Sequence, residues 1–117
     1  MAGQLTARSE FAETLAIYLG VKSALKAGRY GKQAEVRSAA EKVAKDLSSE
    51  KSVFGMQLKM IGMLEKGATI DDLAKRIHSS RRTVFRYLNS LEQAGVGITL
   101  ADGKYQVDKN VARLITA

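Results

Sequence analysis

The chain has 117 residues, with 19 Lys and Arg against 12 Asp and Glu, a single His, and no Cys, Pro or Trp. That length suits one small domain on one modest core, and a formal charge of +7 favours a polyanionic partner. One imidazole, no thiol and acids scattered among Lys and Arg argue against an enzyme, a metal site or a cofactor, and no apolar run nears the roughly 20 residues that span a bilayer.

The polar start, Met1 to Glu10, has no secretory leader pattern, so a cytoplasmic setting is expected. Phe11, Leu15, Tyr18, Leu19 and Leu25 recur at helical spacing, and Gly28 and Gly31 bracket a turn at Arg29-Tyr30. Val36, Ala40, Val43 and Leu47 then predict a second amphipathic helix that buries this stripe. Ser48 to Ser52 interrupt the pattern and offer N-caps for the next helix. From Phe54 to Glu65 two apolar stripes run side by side, Phe54, Leu58 and Ile61 on one and Met56, Met60, Met63 and Leu64 on the other. A helix apolar on most sides belongs at the centre. Methionine at this spacing is read as core filler.

Thr69 and Asp72 have capping-box spacing at the start of a short helix, Ile70 to Ile77, with Leu73, Ala74 and Ile77 inward. The acidic pair Asp71-Asp72 then complements the positive helix end and needs no catalytic role. After His78-Ser79-Ser80 a second helix opens at Ser80 and runs through Val84, Leu88 and Leu91 to Gly95, a natural left-handed terminator. The period then switches to two. With Asp102-Gly103 as a two-residue turn, Leu100 faces Tyr105 and Ile98 faces Val107, four apolar side chains on one face. Asp108 can cap a final helix through Val111, Leu114 and Ile115.

Helix, tight turn, helix and two-stranded ribbon is the order of a winged helix-turn-helix. The expected fold is therefore mainly α with a small β wing, one domain over 1–117, in which 1–52 form a helical extension and 53–117 the winged helix. The runs Thr69 to Ile77, Ser80 to Leu88 and Leu91 to Gly95 resemble the DNA-binding region of DeoR-type and biotin-repressor-type winged-helix regulators, over roughly 54–107. Residues 1–52 carry no such resemblance. The family has Gly at the position of His78, an apolar residue at Ser79 and an acid at Tyr87. His tolerates a left-handed backbone better than branched residues do.

Leu73 to Leu91 hold Lys75, Arg76, Arg81, Arg82 and Arg86 with no acid. At about 100° per residue, Arg82, Arg86 and Asn89 lie opposite Val84, Leu88 and Leu91. Arg side chains donate to guanine edges or phosphates, and Asn pairs with adenine. Ser80, Thr83 and the backbone N–H groups at that helix start suit a phosphate, as does Thr69 at the preceding one. Lys104 stands beside the wing turn, within reach of a minor groove or phosphate. The candidate DNA-binding set is thus Thr69, Ser80, Arg81, Arg82, Thr83, Arg86, Asn89 and Lys104.

These residues point to sequence-specific binding of double-stranded DNA, as in a prokaryotic or phage transcriptional regulator. A homodimer is expected, because one winged helix reads only a few base pairs. The N-terminal helices and the short C-terminal helix are the available surface for a second copy, and the N-terminal helices for another protein partner. Two rival readings use the same fold: a DNA-binding assembly factor for plasmid partition, replication or phage packaging, and a winged-helix protein-interaction module.

Overall fold

A computed structural model describes residues 10–116, so the start of the chain before Glu10, expected to be leaderless, lies outside the described residues. An N-terminal hairpin pairs α1 (Glu10–Lys26) with α2 (Ala34–Leu47). Then come α3 (Val53–Lys66), α4 (Ile70–Arg76) and α5 (Arg81–Gln93), the wing strands β1 (Ile98–Ala101) and β2 (Lys104–Val107), and α6 (Lys109–Thr116). The fold is mainly helical with one small antiparallel sheet, as a winged helix-turn-helix requires. Among the described residues no helix is long and apolar enough to cross a membrane.

The central position expected for α3 holds. Phe54, Met60, Ile61 and Leu64 are buried on it, and Leu73, Ile77, Val84, Leu88, Leu91, Val107, Ala112 and Ile115 close the same core from α4, α5, the wing and α6. Phe54 also receives the hairpin. The Phe11 ring lies 5.3 Å from it, tilted, and Tyr18 meets it edge-on at 5.4 Å. Aromatic pairs in these geometries add to the stabilisation that burial alone provides. Gln57, buried among apolar neighbours, donates from Nε2 to the Tyr87 carbonyl at 3.3 Å and so ties α3 to α5.

The junction between hairpin and winged helix is tight. Ser52 caps α3 by accepting from Gly55 N–H at 2.9 Å, while its hydroxyl donates to the Ser49 and Leu47 carbonyls at 2.9 and 3.0 Å. Gly55 has no room for a side chain, since a Cβ there would sit 1.9 Å from the Ser49 carbonyl oxygen. From the same loop the Glu50 carboxylate pairs with Arg76 of α4 at 3.1 Å and Lys59 of α3 at 3.5 Å. The Arg76 hydrogen bond, then the Lys59 charge, hold its pKa below the usual glutamate value.

The wing forms in the expected register, Ile98 opposite Val107 and Leu100 opposite Tyr105. Asp102 and Gly103 both take positive φ, 53° and 77°, as this hairpin turn demands. Tyr105 and Ala68 exchange backbone hydrogen bonds at 2.9 and 2.8 Å, which pins the wing to the segment between α3 and α4.

Three apolar expectations are corrected. Val36 and Val43 are 46% and 42% exposed rather than buried, because α2 is covered mainly by α1 and they lie at the rim of its contact stripe. Leu100 is exposed because its end of the wing projects beyond the core. Leu114 is 71% exposed. Helical phase places Ala112 with Ile115 on the inner face of α6 and leaves Leu114 outside it.

Candidate nucleic-acid interface

The two helices of the helix-turn-helix are set by local chemistry. Thr69 and Asp72 form the capping box, with Asp72 N–H donating to Thr69 Oγ1 at 3.1 Å and Thr69 N–H to Asp72 Oδ2 at 3.2 Å. The Thr69 backbone and side-chain hydrogen bonds, helped by the charges of Lys104 and Lys75, hold the Asp72 carboxyl below its ordinary pKa. α4 ends into a turn in which His78 adopts φ 53°, the left-handed conformation expected where the resembling family has glycine. Ser79 is half-buried, and its hydroxyl donates to the Ile77 carbonyl. At the far end of α5 the Gly95 N–H meets the Glu92 carbonyl and the Val96 N–H meets Leu91. That pair of bonds is a Schellman termination, and Gly95 has the positive φ, 93°, that it requires.

On α5, Val84, Leu88 and Leu91 are buried as the spacing implied. Tyr87 joins them, which explains why no acid stands there. The available signal was the spacing 84, 87, 88 and 91, a full helical stripe. Arg82, Arg86 and Asn89 are all exposed on the other side. Among the described residues Arg82 makes no ion pair and no ring contact, so its guanidinium is available to a ligand. Arg86 is drawn aside. Its guanidinium lies 5.6 Å over the Tyr87 ring, at the edge of a groove of about 700 Å³ between the hairpin and α5.

The other candidates are placed less freely. Arg81 is ion-paired with Asp71 across the turn, an exposed contact between α5 and α4 that adds little stability. Ser80 caps α5, accepting from Thr83 N–H at 3.2 Å and donating to Thr83 Oγ1 at 3.1 Å. The Thr83 hydroxyl keeps its own proton to donate. Thr69 is committed to its capping box, and Asp71 and Asp72 make the start of α4 unfavourable for a phosphate. The first turn of α5 carries no acid, so its N–H groups keep their attraction for anions. Lys104 is turned from the wing tip toward α4: a Cβ on Gly67 would meet its stem at 3.9 Å, and its charge acts on Asp72.

One exposed residue had no sequence signal. Phe85 is 45% exposed on the wing side of α5, its ring edge-on to Tyr105 with centroids 6.5 Å apart. With Asn89, Ile98 and Leu100 it lines a shallow recess between recognition helix and wing. An aromatic held there beside Arg82 and Asn89 offers an apolar surface of the kind that packs on a thymine methyl. Among the described residues no cluster of His, Asp and Glu could hold a metal ion.

Residues 44–91 match the family model described as the helix-turn-helix domain of resolvase. No curated protein and no solved structure matches the chain. The matched span runs from the end of α2 through α3 and α4 to Leu91 of α5, that is, the helix-turn-helix with the central helix that supports it. This segment is a helix-turn-helix DNA-binding domain, and its class of partner is DNA.

Proposed function

We propose that the protein binds double-stranded DNA sequence-specifically as a homodimer and acts as a prokaryotic or phage transcriptional regulator in the cytoplasm, in the manner of the DeoR-type and biotin-repressor-type proteins its sequence resembles. The observation that carries this is the exposed face of α5, where Arg82, without an ion pair among the described residues, stands beside Asn89 with Phe85 on one flank and Arg86 on the other. In the major groove Arg82 and Asn89 read base edges, Phe85 packs on thymine methyls, and the first turn of α5 with the Thr83 hydroxyl holds a phosphate. Lys104 and Arg86 add charge along the backbone rather than base recognition. The chain is assigned no reaction and no cofactor.

Selection of binding sites from a random DNA library with the purified protein tests it. A two-fold symmetric motif, its half-sites about 34 Å apart or a multiple of that, is the expected return. A library that yields no enriched sequence overturns sequence-specific reading. A second reading, an assembly factor for partition, replication or packaging, would use the same face of α5. Tandem direct repeats in the selected sites would support it over regulation at one operator.

A further inference from the structure

One edge of α2 is left uncovered by the other described residues. Val36 and Val43, two turns apart, are nearly half exposed, and Ala39 between them is exposed. At one end the strip reaches the groove between the hairpin and α5, which Val43 lines together with Thr14 of α1, and one turn further along α1 is Ile17, also exposed. Glu35, Lys42 and Asp46 flank this strip, with Lys42 and Asp46 paired at 3.2 Å. The strip has an order. Reading along the helix it runs Glu35, Val36, Ala39, Lys42, Val43.

Laid antiparallel on itself about an axis through Ala39, that order is self-complementary. The pair Glu35-Val36 of one helix comes level with Lys42-Val43 of the other, so that acid lies beside base and valine beside valine within one residue's rise of about 1.5 Å, twice, with the two small alanines at the crossing. Self-complementarity under a two-fold rotation is what an isologous interface demands. Alanine at a crossing lets helices approach to the lower end of the usual 8–10 Å.

We propose that this edge of α2 is the surface on which a second copy of the chain docks, antiparallel, through Val36, Ala39 and Val43 with Glu35–Lys42 pairs on the flanks. The assignment deepens the dimeric part of the function proposed above and rests on it. It places the two-fold axis on the hairpin, so that Phe11, Tyr18 and Phe54 transmit the dimer geometry to the winged helices.

The chain contains no cysteine, so Ala39→Cys introduces its only thiol, at the point where two crossing helices come within disulfide reach. Under mild oxidation the full-length variant is expected to convert to a covalent dimer that still binds the selected DNA, whereas Ala101→Cys on the wing stays largely monomeric on denaturing gels. In sedimentation equilibrium Glu35→Lys should weaken association about tenfold or more, by like-charge opposition at both flanks, and Glu35→Lys with Lys42→Glu should restore it. Helicity measured on each variant confirms folding. If the wild type is a dimer but neither the cross-link nor the charge swap behaves this way, the α2 assignment fails and the dimeric reading stands. A wild type that remains a monomer with and without DNA overturns both.

Discussion

Replacing Gly55 by alanine tests the claim that the hairpin and the winged helix are locked at one place. The added Cβ would lie 1.9 Å from the Ser49 carbonyl oxygen, 2.5 Å from its carbon and 2.9 Å from the Ser48 oxygen. Non-bonded carbon contacts settle at roughly 3.5–4 Å, so the backbone of the loop must retreat by well over an ångström. Retreat stretches both hydrogen bonds that end on the Ser49 oxygen, from the Ser52 N–H and hydroxyl, each 2.9 Å. Overpacking costs about 1–3 kcal/mol, each lost bond about 1 kcal/mol, and the better helix propensity of alanine returns about 1 kcal/mol. The net is about 2–4 kcal/mol, a fall in Tm of roughly 8–16 °C at about 4 °C per kcal/mol for a chain of this size. Gly62→Ala is the matched control, on the same helix with nothing within 4 Å of a new Cβ. It should gain about 0.5–1 kcal/mol and melt a few degrees higher. Thermal melts followed by circular dichroism, with urea titration beside them, read both. A Gly55→Ala protein that melts with or above the wild type would refute the close approach and the anchoring built on it.

Arg82→Ala should weaken binding to the selected site by about 1–3 kcal/mol, the worth of a bidentate base contact, without moving Tm, and Arg86→Ala should weaken it less. Fluorescence anisotropy at fixed salt measures both, and unchanged affinity in each would remove the recognition role of α5. Replacing thymine by uracil in the site should cost the wild type about 0.8 kcal/mol per methyl no longer buried and cost Phe85→Ala nothing, so equal losses would exclude the methyl contact. Thr69→Ala should lose about 1 kcal/mol of stability with its cap. Acid should act on the same box. The folded pKa of Asp72 lies below its ordinary value, so its stabilisation is complete above that value and is lost as pH falls through the folded pKa. Wild-type Tm should therefore drop between neutral pH and about pH 3 more steeply than that of Asp72→Asn. Glu50, depressed in the same sense, leaves the variant a residual slope.

The order of helices, the Thr69–Asp72 box, the Ser80 cap, the Gly95 stop and the Asp102-Gly103 wing register were determined by sequence alone. Each depends on groups within a few residues of one another, which chain connectivity keeps together whatever the rest of the fold does. The same holds for the exposed Arg82–Arg86–Asn89 side of α5, which is a consequence of helical phase. Tertiary structure decided what depends on distant partners. Asp71 takes Arg81 out of the free basic set, the core fixes the Tyr87 ring over which Arg86 lies, and Gly67 and Asp72 hold Lys104 away from the wing tip. Phe85 lies between the two faces of its helix, and only the wing beside it settles its surroundings. Val36 and Val43 have the spacing of buried residues, but spacing specifies a stripe and not its cover. Whether a stripe is buried depends on where its neighbours lie across it, and in α2 the packed side is that of Ala40, Ala44 and Leu47.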